Sequence, residues 1–330
     1  MMFVSLRASP PKKCKYYTSC LSVALSSSLT STPESISLDF HHDASLAVLT
    51  LRNAQRCNAL TYSMMHQLDA HVKTLHKWSH GISNQNNARV LVLTGSGGSF
   101  SAGLDIKQED DDKLKDGKEM TQHMSRVTNC IHSLPVLSVA AIDGNAIGGG
   151  AELSTCTDLV VLSRQSTIKF VHASRGASPG WGGGRRLVNR VGRRKALRML
   201  LLGESVFGDE EAEELDYADY VAKDGESSLD AAMRLVVDPI LNLPCSQSVR
   251  AIKRVASVAD GDEDVIDTAS GRLRYTYVLD DDDSGEKTKE PNNINTAVKS
   301  EIDAFLQVWG GESNRELIQQ TRESLKDKKT

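Results

Sequence analysis

In the sequence GNAIGGGAELSTCTD, Gly144 to Asp158, three consecutive glycines lead almost directly to the carboxylate of Glu152. Glycine inside a regular element costs roughly 0.5–1 kcal/mol relative to alanine, because its unfolded chain has more freedom to lose. The apolar run before the glycines, ending near Ile142, predicts a buried strand, and the residues after them predict a helix. Such a turn presents unpaired backbone N–H groups to a ligand.

Three uses of this turn are open: a phosphate cradle, close helix packing without chemistry, or an oxyanion hole. The stretch lacks the Lys-Ser/Thr pair of a P-loop and fits GxGxxG poorly. A second glycine stretch, GSGGSFSAGLDIKQ from Gly95 to Gln108, also follows a predicted buried strand and lies about 45 residues upstream. Two strand-to-turn sites can supply two N–H donors to one oxygen, which favours the oxyanion hole.

The pattern around both stretches predicts an α/β fold with a mostly parallel sheet. In residues 35–52, apolar residues recur at every second position on both sides of a polar turn at His42 to Ser45, which indicates a β-hairpin. An amphipathic helix is predicted from Thr61 to Leu75. Strands then alternate with helical segments. We expect a core at residues 34–202 and a helical region at 203–330, with a charged loop near 279–293.

Composition narrows the classes of partner. The 330 residues carry a formal charge of -4, which makes no global case for nucleic acid, and no apolar run approaches the ~20 residues of a membrane span. Six scattered cysteines without a CxxC pair indicate neither a zinc site nor a disulfide framework, and no metal is expected. Residues 1–33 are basic and serine-rich, which predicts mitochondrial targeting; a disordered tail and a cytosolic protein are the alternatives.

The two glycine stretches together resemble the enoyl-CoA hydratase/isomerase (crotonase) superfamily. FSAGLD, residues 100–105, fits F-[CS]-[AS]-G-x-D, and DGNAIGGGAE, residues 143–152, fits N-G-x-[AL]-x-G-G-G-x-E, with Asp143 in place of the asparagine. The resemblance runs from about Ser35 to Ser324. It implies a spiral of ββα units with a helical C-terminal trimerisation region, and hence a homotrimer or a dimer of trimers.

The resemblance also implies an acyl-CoA site. The backbone N–H groups of Leu104 and Gly149 would bind the thioester oxygen, and coenzyme A would be part of the substrate, with no separate cofactor. The acyl and pantetheine path would be lined by Leu104, Asp105, Ile106 and Lys107, and the adenine end would lie near Arg56, Cys57 and Asn58. Ten Lys or Arg and no acid stand between Asp158 and Glu204, a local bias that suits a polyphosphate ligand.

The acid and base positions depart from those of a hydratase. Family hydratases use two glutamates; Glu152 matches the first, but the second position holds His172. Adding water across a double bond needs a positioned acid and base together, so this pair argues against ordinary hydration. Reactions that need an enolate and one proton donor remain open.

Two further signatures are similar to the ethylmalonyl-CoA decarboxylase branch of the superfamily: IKFVHASRGASPGWGGGRRLV, residues 168–188, and VWGGESNREL, residues 308–317. The resemblance implies loss of CO2 from an alkylmalonyl thioester, with Glu152 or His172 handling the proton. Trp181 would wall the acyl pocket or be a core aromatic, and Arg175 would meet a substrate carboxylate or lie on the surface. Another crotonase reaction, or a non-catalytic paralogue that binds RNA or protein partners, are the alternatives.

Overall fold

The computed structural model describes residues 35–43, 45–80, 87–105 and 117–259. Several sequence-based predictions lie outside these described residues. They are the targeting segment 1–33, the path residues Ile106 and Lys107, the helical trimerisation region beyond residue 259 with its charged loop 279–293, and the signature at 308–317.

Nine strands form in the described ranges. They are Ser35–His41 (β1), Leu46–Arg52 (β2), Val90–Gly95 (β3), Leu137–Ile142 (β4), Asn145–Ile147 (β5), Leu159–Leu162 (β6), Thr167–Lys169 (β7), Val206–Phe207 (β8) and Tyr220–Val221 (β9). The α-helices described are Tyr62–Ser79 (α1), Gly117–His132 (α2), Gly149–Ser154 (α3), Gly183–Leu197 (α4), Glu210–Glu214 (α5), Ser228–Ala232 (α6), Asp238–Leu241 (α7) and Ser246–Ala259 (α8).

Two sheets organise these strands. The larger has the order β1-β2-β3-β4-β6-β9, and every neighbouring pair in it is parallel except the β1–β2 hairpin, where Ser35 pairs with Arg52. The smaller has the order β5-β7-β8. The predicted α/β class with a mostly parallel sheet is confirmed. Because β8 and β9 lie beyond residue 202, both sheets extend into the region predicted to be helical.

The large sheet is buried on both faces, as its strand sequences require. Alternate residues of β3 point to opposite sides: Leu91 and Leu93 join the cluster that contains the apolar face of α1, whereas Val90 and Val92 join a second cluster with α6 and the π-helical turn Met233–Val237. Sheets covered on both faces read as continuous apolar runs, which explains the sequence RVLVLTG. No helix within the described ranges is both long and apolar enough to cross a membrane.

Helix α1 begins where the sequence predicts and ends later. The Thr61 side chain caps it by accepting the Met64 N–H at 3.3 Å, and the helix continues to Ser79, one turn beyond the predicted Leu75. The sequence around His66, His71, His76 and His80 contains no HExxH motif, which predicts that these histidines form a solvated helix face; this prediction is wrong for three of the four. His66 is exposed, whereas His71, His76 and His80 are half-buried; His71 Nε2 lies 2.9 Å from the Ile36 carbonyl oxygen.

Asp143, which stands where the family pattern has asparagine, has a structural role. Its Oδ1 accepts the backbone N–H of Ser228 at 2.9 Å, so the end of β4 is tied to the first residue of α6. Both Asp and Asn side chains can accept such a bond. The departure from the pattern therefore leaves the glycine turn itself unchanged.

Candidate active site

The two glycine turns adjoin each other. Ser101 and Ala146 form a parallel bridge, with the Ile147 N–H donating to the Ser101 carbonyl at 2.9 Å. Gly103 has φ +82, a backbone conformation that favours glycine, and a Cβ atom placed on it would lie 2.8 Å from the Gly149 nitrogen. The sequence-based prediction that these two turns combine into one site is consistent with this packing.

The predicted oxyanion donors, Leu104 and Gly149, have free N–H groups. Gly149 is the first residue of α3, so its N–H has no acceptor within the helix. Leu104 forms a parallel bridge with Leu60 that uses the Gly103 carbonyl and the Asp105 N–H. In the described part of the chain, neither amide donates to a protein acceptor. Two free amides on adjoining turns are what stabilisation of a developing oxyanion requires.

Each of the three consecutive glycines is favoured at its position for a different structural reason. Gly148 adopts φ 56 and ψ -118, which side chains disfavour. A Cβ atom on Gly149 would lie 2.4 Å from Cζ3 of Trp181, and one on Gly150 would lie 2.2 Å from the Ser101 carbonyl oxygen. The turn is thus packed between the FSAGLD turn on one side and the Trp181 indole on the other.

Glu152 is buried and its carboxylate is fully engaged. Oε1 accepts the Gly180 N–H at 3.2 Å and lies 3.0 Å from His172 Nε2. Oε2 accepts the N–H groups of Trp181 at 2.8 Å and Gly183 at 3.1 Å. Three backbone N–H groups donate to the two oxygens, and His172 Nε2 donates as well in the tautomer that carries a proton there. Glu152 therefore anchors the GWGG loop and orients His172.

His172 is the less buried member of this pair: 12% of its side chain is exposed, against 2% for Glu152. Its Nε2 is occupied by Glu152, and its Nδ1 is buried without a hydrogen-bond partner in the described ranges. A carboxylate that binds one ring nitrogen fixes the imidazole orientation and leaves the other nitrogen to act on a bound molecule. In the Glu152–His172 pair, Glu152 therefore orients the ring, and His172 stands at the position of the second hydratase glutamate.

Trp181 is held as part of the same site. The residue is 4% exposed and its side chain contacts Gly149. Its backbone carbonyl accepts hydrogen bonds from Thr128 Oγ1 at 2.5 Å and Arg186 Nη2 at 2.7 Å. Sequence reasoning did not identify Thr128, and it counted Arg186 only as part of a basic stretch. No motif marks these residues, because a bond to a backbone carbonyl leaves no residue pattern.

The residues predicted near the adenine end are mostly committed to the protein. Arg56 forms an ion pair with Asp105 at 3.1 Å, and Asp105 is 3% exposed. The buried Asn58 side chain bonds the Asn53 N–H and the carbonyls of Ser96 and Ser99. Cys57 is exposed. The side chains of Asn58 and Asp105 are therefore used to hold the turns around residues 53–58 and 96–105 in place.

Acidic residues further along the chain neutralise much of the basic bias between Asp158 and Glu204. Within the described residues, ion pairs join Arg164 to Asp224, Arg190 to Asp219, Lys195 to Asp216 and Arg198 to Glu204. Arg186 is buried, whereas Arg175 is exposed. The segment as a whole is therefore less of an anion surface than its sequence indicates.

Comparison with known proteins identifies this arrangement. A family model described as enoyl-CoA hydratase/isomerase matches residues 41–242, more than half of the chain. The chain belongs to the enoyl-CoA hydratase/isomerase, or crotonase, family. The glycine turns and Glu152 therefore lie in a crotonase domain, and the mixed sheets described above are those of an α/β crotonase fold.

Curated relatives of this crotonase include two proteins named ethylmalonyl-CoA decarboxylase. The one from Gallus gallus is 31% identical over 287 residues, 86% of this chain and 83% of its own. The one from Homo sapiens is 30% identical over 279 residues, 84% of this chain and 78% of its own.

Solved structures share the crotonase fold at lower identity. Pseudomonas aeruginosa DspI has a TM-score of 0.68 at 24% identity, covering 91% of this chain and 97% of its own. Enoyl-CoA hydratase from Bacillus anthracis has a TM-score of 0.67 at 20% identity, covering 88% and 96%. A putative enoyl-CoA hydratase from Thermobifida fusca, solved in complex with CoA, has a TM-score of 0.61 at 24% identity, covering 82% and 91%.

Proposed function

We propose that this crotonase-family protein decarboxylates alkylmalonyl-CoA thioesters, with ethylmalonyl-CoA as the preferred substrate and methylmalonyl-CoA as a slower one. The observation that carries the proposal is the Glu152–His172 pair. The Glu152 carboxylate accepts three backbone N–H groups besides facing His172. Hydration needs an acid and a base on the substrate together, and an anchored Glu152 leaves a single proton-transfer group.

Decarboxylation uses the two free amides directly. As the bond between the α carbon and the carboxylate breaks, CO2 leaves and the electron pair moves through the α carbon onto the thioester oxygen. The N–H groups of Leu104 and Gly149 would stabilise the resulting enolate. One such donor contributes on the order of 10²–10³-fold in rate in enzymes where it has been removed.

The enolate must then gain a proton at the α carbon. His172, as the imidazolium, supplies it from Nδ1–H, while its Nε2–H stays bonded to Glu152. The neutral imidazole that remains takes up a proton again after the product has left and water has entered the site. Glu152 acts here by orienting the ring. This division of roles assigns the proton to His172, where sequence alone left Glu152 and His172 as alternatives.

The relatives support the choice of substrate. Both curated relatives described above are named for ethylmalonyl-CoA decarboxylation and cover most of this chain. The Thermobifida fusca structure with the same fold was solved with CoA, which supports a CoA thioester as the ligand.

The test is a paired assay on the purified protein. Labelled CO2 release from ethylmalonyl-CoA is measured beside loss of the conjugated absorbance of crotonyl-CoA; we expect CO2 release and poor hydration. Fast hydration without CO2 release would overturn the decarboxylase proposal and leave the family assignment.

Variants separate the roles of the pair. His172→Ala should lower CO2 release by ~10²–10⁴-fold, typical of lost acid-base help, with little change in melting temperature. Glu152→Gln should lower both CO2 release and the melting temperature. The amide replaces one acceptor oxygen with an NH2 donor, which would face backbone N–H groups. His71→Ala, at a half-buried histidine on α1, is the matched control and should release CO2 at the wild-type rate. Unchanged CO2 release in His172→Ala would contradict the assignment.

A further inference from the structure

The backbone N–H and the backbone carbonyl of Trp181 are both hydrogen-bonded. Its N–H donates to Glu152 Oε2 at 2.8 Å. Its carbonyl oxygen accepts one bond from Thr128 Oγ1 at 2.5 Å and another from Arg186 Nη2 at 2.7 Å. Since a carbonyl oxygen has two lone pairs, the backbone of this residue is fully satisfied and fixed in place.

The residues that hold the carbonyl are themselves buried and fixed. Thr128 lies on α2 and is fully buried. Arg186 is 4% exposed, and its guanidinium also donates to Asn129 Oδ1 at 2.8 Å and to Thr155 Oγ1 at 3.2 Å. A planar guanidinium that spans several fixed acceptors is a rigid support.

The side chain that this support positions lies against an oxyanion donor. A Cβ atom on Gly149 would lie 2.4 Å from Cζ3 and 2.5 Å from Cη2 of the indole, so the outer edge of the ring contacts the glycine itself. An acyl group whose thioester oxygen meets the Gly149 N–H must pass beside this edge. The indole position therefore sets how much room the acyl group has.

We propose that Thr128 and Arg186 are positioning residues that fix the Trp181 indole against Gly149, and that Trp181 thereby limits the size of the acyl group the site accepts. The inference rests on the proposed function for its acyl-CoA ligand. Loss of the Thr128 or Arg186 bond would let the peptide shift and the ring edge retreat. Each methylene in an apolar pocket changes discrimination by about 10–200-fold.

The experiment compares Thr128→Val, which removes the hydroxyl at nearly constant volume, with Thr128→Ser, which keeps it. Trp181→Phe and Arg186→Lys test the wall and the second support. The readout is the ratio of kcat/KM for ethylmalonyl-CoA to that for butylmalonyl-CoA. We expect the ratio to fall at least 10-fold in Thr128→Val, Trp181→Phe and Arg186→Lys, and to be kept in Thr128→Ser.

Thr157→Val is the matched control. Thr157 is also buried, but its hydroxyl lies 3.0 Å from the carbonyl oxygens of Ser154 and Leu159 and donates to one or the other, so its loss should leave the ratio unchanged. If Thr128→Val does not fold, Trp181→Phe and Arg186→Lys decide the outcome. Wild-type ratios in the folded variants among these three would overturn the inference.

A binding measurement distinguishes this inference from the proposed function. Calorimetric affinities for butyryl-CoA and octanoyl-CoA require no turnover. If the wild-type protein releases no CO2 but prefers the shorter thioester, and Thr128→Val and Trp181→Phe lose that preference, the decarboxylase proposal fails and the size-limiting role of Trp181 stands. If the protein decarboxylates and the affinity ratio is the same in every folded variant, the size-limiting role fails alone.

Discussion

Gly183 lies directly against the side chain of Glu152. A Cβ atom placed on Gly183 would lie 2.6 Å from both Cβ and Cγ of Glu152, while the Gly183 N–H donates to Oε2 at 3.1 Å. The same residue thus gives the glutamate both its space and one of its hydrogen bonds. A larger residue at position 183 would push the carboxylate away from His172 and from the other donors.

Gly183→Ala should therefore cost about 1–3 kcal/mol of unfolding free energy, as overpacking typically does, and should also reduce turnover. Gly184→Ala is the control, because a Cβ atom there would meet Pro179 Cβ at an ordinary 3.4 Å. Denaturant unfolding and CO2 release are measured for both variants. Equal stability of the two would show that the Glu152 side chain is not confined as described.

Gly149→Ala should fold less stably and lose activity, because its methyl group would meet the Trp181 ring. We expect a loss of about 10²–10³-fold in kcat/KM if the Gly149 amide is displaced from the oxyanion. Adding Trp181→Leu should recover part of the stability, and a double-mutant cycle measures this coupling. Gly117→Ala, where a Cβ atom would meet no atom of the described residues within 4 Å, should behave as wild type. Purely additive effects of the two substitutions would argue against the contact.

The stability of the folded chain should fall as the pH drops from about 6.5 toward 4. Burial, and after it the neighbouring His76, lower the pKa of His80 to about 4. Because the pKa is lower in the folded chain, the unfolded chain takes up the proton first, so the stability present above pH 6.5 is lost on acidification. For a half-buried ring we expect about 1–2 kcal/mol.

His80→Asn isolates this contribution, since its amide can replace the bond from His80 Nδ1 to the His76 carbonyl. Urea unfolding at pH 7 and pH 5 should show a smaller difference in the variant than in wild type. His66→Asn, at an exposed position on α1, should keep the wild-type difference. An unchanged pH dependence in His80→Asn would assign the effect to other groups.

The assembly in solution is predicted to be a trimer or a dimer of trimers, from the family resemblance. With a chain of 35.9 kDa, light scattering should give three or six times that mass at micromolar concentration. A monomeric mass would contradict the prediction.

The basic segment at residues 1–33 is predicted to direct the protein to mitochondria. Removing residues up to Thr32 should leave decarboxylation intact and change the location of a tagged protein in cells. Lost activity with unchanged location would contradict the targeting role.

Patterns that extend over several residues were predictable from sequence, whereas single backbone contacts were not. Strand β3 and the start of α1 were found because period-2 and helical spacing repeat along the chain. Strand β9 was missed, since two residues cannot show alternation. His172 was found by its position 20 residues after Glu152. That three backbone N–H groups fill the Glu152 carboxylate was not predictable, because backbone donors carry no residue identity.

The two-residue length of β9 has a consequence for aggregation. As the last strand in the order of the large sheet, Tyr220–Val221 stands where a strand from another chain could add. Ordinary strands are about 5–6 residues long, and a long exposed edge is what templates fibre growth. A template of two residues offers too few backbone bonds to hold an incoming strand. This edge of the sheet is therefore protected from polymerisation by its shortness, and also by Glu213, whose Oε1 accepts the Val221 N–H at 2.9 Å.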